Sequence, residues 1–132
     1  MTMPNLRVNN DTVLRLPEFS HAVIAGETIY VSGMIGASPG FTEPVAGGVG
    51  AETTCAFRNI ELILAECGAT LADIVRVNVY LTDMQAFAEM NEAYSAVMGS
   101  TPPARITVGC NALALGALVE LECIAHLDTV PE

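Results

Sequence analysis

The sequence predicts an α+β two-layer sandwich, one sheet with two helices packed on a single face. Three observations carry that expectation. Two segments repeat their apolar residues at three- and four-residue steps. Four runs alternate apolar with polar residues or concentrate β-branched ones. The two kinds interleave as strands, helix, strand, helix and two strands, the order of an α+β domain rather than of a bundle or a barrel. With 132 residues, 52% of them apolar and 15% charged, the chain is no disordered segment; it suits one compact domain, residues 1–132, with a sizeable core.

The elements follow in chain order. Thr28–Ser32 is rich in β-branched residues and reads as a strand. Gly33 to Gly50 is rich in glycine and proline and reads as a long ordered loop between strand and helix. From about Gly50 to Cys67, residues Ala56, Ile60, Ile63, Leu64 and Cys67 recur at helical spacing, and Gly68 supplies a C-terminal stop. Val75–Leu81 alternates Val75, Val77 and Val79 with Arg76, Asn78 and Tyr80. From about Met84 to Met98 the stripe is Phe87, Met90, Tyr94 and Val97, with Asp83 as N-cap and Gly99 as the end. Arg105–Cys110 sets Ile106, Val108 and Cys110 against Arg105, Thr107 and Gly109. Val119–Leu127 sets Val119, Leu121 and Cys123 against Glu120 and Glu122. Several residues that alternate onto the second sheet face are apolar or small. A half-apolar open face is hidden against another subunit, so an oligomer is expected.

Charge narrows the partners. The formal net charge is −10, and all five basic residues are arginines, Arg7, Arg15, Arg58, Arg76 and Arg105. Without lysine there is no Schiff base, no usual pyridoxal anchor and no P-loop. Five scattered arginines do not make a nucleic-acid surface or attach the chain to an anionic membrane. The segment Met1–Asn10 lacks an apolar run of signal-peptide length, and the longest apolar stretch, from Ala112, is broken by Glu120 and Glu122. Cys55, Cys67, Cys110 and Cys123 show no CxxC spacing and no neighbouring histidine pair. They read as reduced, buried thiols of a cytoplasmic protein, with no metal site.

Few residues can carry chemistry. Arg105 begins a strand after Pro102-Pro103, and a guanidinium on so fixed a backbone suits bidentate capture of a carboxylate; the alternative is an ordinary strand-end pair with Glu120 or Glu122. Glu120 and Glu122 share one face of a mostly apolar run. Either one of them is a base that positions water, or both form a solvent-facing stripe. His21 and His126 have no acid–nucleophile constellation and read as structural. Ser32 has no nucleophile-elbow sequence, and Asn91, beside Tyr94, reads locally as a surface or interface residue.

Taken together the pieces form a pattern. Ile29-Tyr-Val-Ser-Gly-Met-Ile-Gly, Asn59-Ile-Glu-Leu-Ile-Leu-Ala-Glu-Cys-Gly and Asp73-Ile-Val-Arg-Val-Asn-Val-Tyr-Leu-Thr-Asp-Met are followed by Phe87, Asn91 and Tyr94. Pro103-Ala-Arg-Ile-Thr-Val and Val119-Glu-Leu-Glu-Cys-Ile-Ala complete it. The joint pattern, from about Phe19 to Ala125, resembles the RidA/YjgF family of reactive-intermediate deaminases. The resemblance implies a chorismate-mutase-like fold, a homotrimer with clefts between subunits, and cofactor-independent hydrolysis of 2-imino or enamine acids, such as 2-iminobutanoate, to 2-oxo acids and ammonia. It makes Arg105 the holder of the substrate carboxylate and Glu120 the acid that positions water. Ser32 and Asn91 match positions lining or supporting the cleft.

The rim departs from the family pattern. Phe19 stands where the best-known deaminases carry a tyrosine whose hydroxyl enters the cleft. Thr107 replaces a cysteine, and Met34 follows Ser-Gly in place of glutamine. These changes point to a bulkier or less polar substrate, such as an aminomuconate-type ring-cleavage product. A non-catalytic or regulatory module that binds small carboxylates is the alternative. The endoribonuclease activity sometimes attached to the family ranks third, because the charge opposes it.

Overall fold

The computed structural model describes residues 5–128. Residues 1–4, part of the N-terminal stretch read above for a leader, and residues 129–132 lie outside the described residues. Six strands and two helices follow in the order β1 (Leu6–Val8), β2 (Ala22–Ala25), β3 (Thr28–Ile35), α1 (Val49–Glu66), β4 (Ile74–Leu81), α2 (Phe87–Met98), β5 (Ala104–Gly109) and β6 (Val119–His126). They form one mixed sheet in the order β1-β2-β3-β6-β4-β5. Only β4 and β5 run parallel, joined across one face by α2 as a parallel pair requires. Both helices contribute to a single core between them and the sheet, and the expected α+β architecture is observed.

The helices form where their apolar stripes need burial. Ala56, Ile60, Ile63 and Leu64 of α1 are fully buried, and so are Met90 and nearly all of Tyr94 in α2. Phe57 and Tyr94 meet edge to face, with ring centroids 5.5 Å apart, and fasten the helices together. Gly68 (φ 76°) and Gly99 (φ 72°) end the helices in the left-handed region. Asp83 caps a single 3-10 turn, Met84–Ala86, that leads into α2; its side chain accepts from the Gln85 amide at 2.9 Å.

Two expectations need correction. The strand that begins at Thr28 does not stop at Ser32. A bulge between Val31 and Met34 lets the chain rejoin β6, so the glycine-rich loop spans only residues 36–48. Gly33 masked the strand in the sequence because glycine carries no strand preference of its own. In β4 a second irregularity, between Ile74 and Arg76, turns Val75 out to solvent while Ile74 takes the core position beside Ala125. The alternation therefore holds for Val77, Val79 and Leu81 but not for Val75.

Strand register decides which side chains share a face. Val77 lies opposite both Arg105 and Cys123, so those two point to the helix side of the sheet. Tyr80 lies opposite Val108 and Glu120, and Asn78 opposite Ile106 and Glu122, so these point to the open face. On that open face Tyr30 and Ile106 are about half exposed.

Candidate functional site

Arg105 belongs to the edge strand β5, where α2 overhangs it. Its Nη1 donates to Asn91 Oδ1 at 2.7 Å, and its guanidinium lies 4.6 Å from the Tyr94 ring centroid and 5.5 Å from that of Phe87. The four-residue step from Phe87 to Asn91, and three more to Tyr94, bring these groups to one helix face. Pairing of Arg105 with Glu120 or Glu122 does not occur, because the register puts those acids on the opposite face. Arg105 and Asn91 line a cavity of about 260 Å³ with Tyr94, Pro102 and Pro103.

The two glutamates of β6 have different surroundings. Glu122 accepts from Asn78 Nδ2 at 3.2 Å and from the Tyr80 hydroxyl, and Asn78 in turn accepts from Arg76 Nε at 3.2 Å. That bond to Glu122 raises the Tyr80 hydroxyl above its usual range. The Glu120 carboxylate accepts no hydrogen bond among the described residues. Burial, and then the charge of Glu122, push its carboxyl above the ordinary range. Glu122 is therefore held within the sheet face, whereas Glu120 has no such partner among the described residues.

Glu120 lines a second cavity, of about 330 Å³, with Val13, Leu16, Phe19, Gly33 and Leu115 among its walls. Gly33 leaves room for the carboxylate as it stands, since a Cβ at that position would meet Glu120 Oε2 and displace it. Ser32 stands behind this wall: its hydroxyl donates to the Ser20 carbonyl at 2.6 Å and its amide to the His21 carbonyl at 2.9 Å, tying β3 to the segment after Phe19. Thr107 lies on the Arg105 side of β5 but lines neither cavity, and its hydroxyl is buried without a partner among the described residues. One copy of the chain thus groups Glu120 with Phe19 and Arg105 with Asn91, on opposite faces of the sheet.

Three contributors escaped the sequence reading. Arg15 Nη1 donates to the carbonyls of Leu16 (3.2 Å) and Phe19 (2.7 Å), clamping the loop that walls the Glu120 cavity. Leu115 projects from a turn with φ 57°. Glu52, almost wholly buried in α1, accepts from the Leu118 amide at 2.8 Å and so holds the entrance to β6 two residues before Glu120. Burial raises its carboxyl, against the lowering effect of its backbone hydrogen bonds. None had a readable signal: Glu52 acts through a tertiary contact, Arg15 bonds backbone carbonyls that any residue supplies, and Leu115 is marked by its backbone angle alone.

His21 and the four cysteines lie apart from both cavities. His21 is buried, its Nδ1 accepts from the Asn10 amide at 3.1 Å, and its Nε2 faces the Leu14 carbonyl at 3.1 Å. Burial lowers its pKa, so the ring is neutral and joins two loop segments. Cys55, Cys67 and Cys123 are buried and Cys110 half-buried, all as free thiols; burial pushes Cys123 up to about 12 and leaves it unreactive. Among the described residues, no group of three or more His, Cys, Asp or Glu could hold a metal ion. No described helix is long and apolar enough to cross a membrane.

Fold and cavities together define a class: small α+β sandwiches with an arginine under the helices and an uncommitted glutamate on the open sheet face. Residues 12–127 match the model of the family described as endoribonuclease L-PSP. The chain belongs to that family, the RidA/YjgF family. It is 42% identical over 110 residues to a RutC family protein of Pyrococcus abyssi, covering 83% of this chain and 87% of that protein. It is 37% identical over 107 residues to the 2-iminobutanoate/2-iminopropanoate deaminase of Rattus norvegicus, covering 81% and 78%. The crystal structure of yeast Mmf1 superposes with a TM-score of 0.89 at 35% identity, covering 95% of this chain and all of that one. That yeast protein is described as mitochondrial.

Proposed function

We propose that the chain hydrolyses small 2-imino and enamine acids to 2-oxo acids and ammonia, in clefts between the subunits of a homotrimer in the cytoplasm. Arg105 of one copy holds the substrate carboxylate, and Glu120 of the neighbouring copy positions the water. Asn91 orients Arg105, and Ser32 fixes the wall carrying Phe19. The observation that carries the reading is Arg105 itself, a guanidinium set by an amide and two aromatic rings with no carboxylate bonded to it among the described residues. Its remaining N–H donors suit a ligand carboxylate. Relatives named 2-iminobutanoate/2-iminopropanoate deaminase support the reaction class.

The chemistry asks little of the protein beyond placement. The protonated imine carbon is electrophilic, so water adds to C2 as its proton passes to Glu120. Glu120 returns that proton to the carbinolamine nitrogen; as the C–N bond breaks and ammonia leaves, the hydroxyl passes its proton to Glu120 and C=O forms, and the departing ammonia carries that proton away as ammonium. A carboxyl raised by burial stands nearer neutral pH and serves these transfers better. No metal, lysine or organic cofactor enters any step.

Phe19 favours a second reading, a module that binds 2-oxo acids or other small carboxylates without turnover, because it brings no hydroxyl to the cleft. The net charge of −10 argues against ribonuclease action. The test is hydrolysis of 2-iminobutanoate made in situ by a threonine dehydratase, with semicarbazide trapping the imine that escapes. Faster imine loss with wild type than with Arg105→Ala is expected. Equal rates, together with retained 2-oxobutanoate binding, would establish the binding module instead.

A further inference from the structure

Resting on the deaminase reading, we propose that the cavity beside Glu120 selects 2-imino acids with branched or aromatic apolar side chains, and that Leu115, Leu16 and Phe19 set this specificity. The three side chains, 56%, 61% and 39% exposed, surround the same cavity as the glutamate. Large apolar groups gathered around one ionisable side chain form a surface that calls for an apolar occupant. The cavity of one copy measures about 330 Å³ before a neighbouring subunit closes it, and unfilled apolar space there forfeits contacts on every wall.

The polar groups around the cavity do not offset its apolar character. Arg15 Nη1 is engaged with the carbonyls of Leu16 and Phe19, and Asn59 donates to the Ala37 carbonyl at 2.7 Å while its Oδ1 is buried without a partner among the described residues. The walls that Leu16, Phe19 and Leu115 build make bulky, apolar side chains the fitting class.

Leu115 strengthens the assignment. It is the one non-glycine residue with positive φ among the described residues, at φ 57° and ψ 25°. A bulky L-residue is strained in that region, and such strain clusters where a side chain is needed in a fixed place. Glycine would suit the turn better; leucine instead presents four carbons to the cavity.

The experiment compares kcat/KM for imines made in situ from leucine, phenylalanine and alanine by an L-amino-acid oxidase, again with semicarbazide as trap. Wild type is expected to prefer the leucine- and phenylalanine-derived imines by about tenfold or more. Leu115→Gly should cut that ratio several-fold while raising the thermal midpoint, which separates lost specificity from lost folding. Phe19→Ala should reduce the ratio in the same direction. A flat profile, or preference for the alanine-derived imine, overturns the inference and leaves the deaminase reading standing. Failure to accelerate any imine overturns that reading, and the specificity with it. A changed assembly size in Leu115→Gly would assign the side chain to a subunit contact and also overturn the proposal.

Discussion

The two cavities differ in what builds them. Around Arg105 the walls are regular structure: a strand edge, a helix face, and a guanidinium held by one short hydrogen bond between two rings. Around Glu120 they are a loop from Val13 to Phe19 and the strained turn at Leu115, leaning on the sheet and clamped by Arg15. Rigid elements hold a group to within fractions of an ångström, whereas loops change composition without disturbing the scaffold. Substitutions that remove Arg105 or its wall should therefore abolish function, and those around Glu120's loops should redirect it.

The largest expected effect tests whether the cavities act as one site. Arg105→Ala and Glu120→Gln should each lower imine hydrolysis by on the order of 10²–10³, since each removes a group acting at the reacting centre. Arg105→Lys should not rescue, because an ammonium cannot reproduce the planar fork. If the two residues meet across a subunit boundary, co-assembling the two inactive variants restores about a quarter of the clefts by random mixing. Activity recovered in the mixed oligomer, against none in either parent, is the expected readout. No recovery in a verified mixed assembly would break the link between the cavities.

Glu120 also makes a pH prediction. Its carboxyl is raised in the folded chain above the ordinary 4.5 by burial and by Glu122. A raised acid favours the fold while protonated, so its contribution is complete below 4.5 and is lost as pH climbs through the higher folded value. Glu120→Gln carries no such loss. Its thermal midpoint should match wild type in acid and exceed it increasingly above pH 4.5. Glu52 is shifted in the same direction, so the difference between the two proteins, rather than either curve alone, isolates Glu120. A midpoint difference independent of pH would show that the Glu120 carboxyl is not perturbed by its surroundings.

A smaller effect is expected where Glu52 secures the approach to β6. Glu52→Ala leaves the Leu118 amide without its acceptor, which costs about 1–3 kcal/mol, whereas Glu52→Gln keeps an oxygen in place. Denaturant unfolding of the two variants should show the loss only in the alanine form.

These contacts mark the limit of what the sequence could express. The helices, β4 to β6 and the opposed faces of Val119-Glu-Leu-Glu were legible because each is a periodic pattern enforced by one buried layer. β1 and β2, three and four residues long, are too short for period to register, and the bulges at Ser32 and Val75 break the very alternation that would reveal them. Arg105, Glu120, Asn91 and Phe19 stood out through the family pattern. Their division between two cavities did not, because it follows from β4–β5 and β4–β6 register, which no local spacing encodes. Arg15 and Glu52 act on backbone groups, and a hydrogen bond to a carbonyl or amide leaves no preferred partner residue to recognise.

The smallest expected effect concerns Tyr94, whose ring supports Arg105 but whose hydroxyl is buried with no hydrogen-bond partner among the described residues. Burial raises that hydroxyl's pKa, while the nearby Arg105 works in the opposite direction. A buried, unsatisfied polar atom is a cost, so Tyr94→Phe should stabilise the chain by about 1 kcal/mol, read from chemical denaturation. The phenylalanine keeps a ring beneath the guanidinium, so turnover should change little. A marked fall in turnover with an intact fold would mean that the hydroxyl, and not only the ring, acts on Arg105 or its ligand. The Arg105 cavity would then depend on a hydrogen bond as well as on packing.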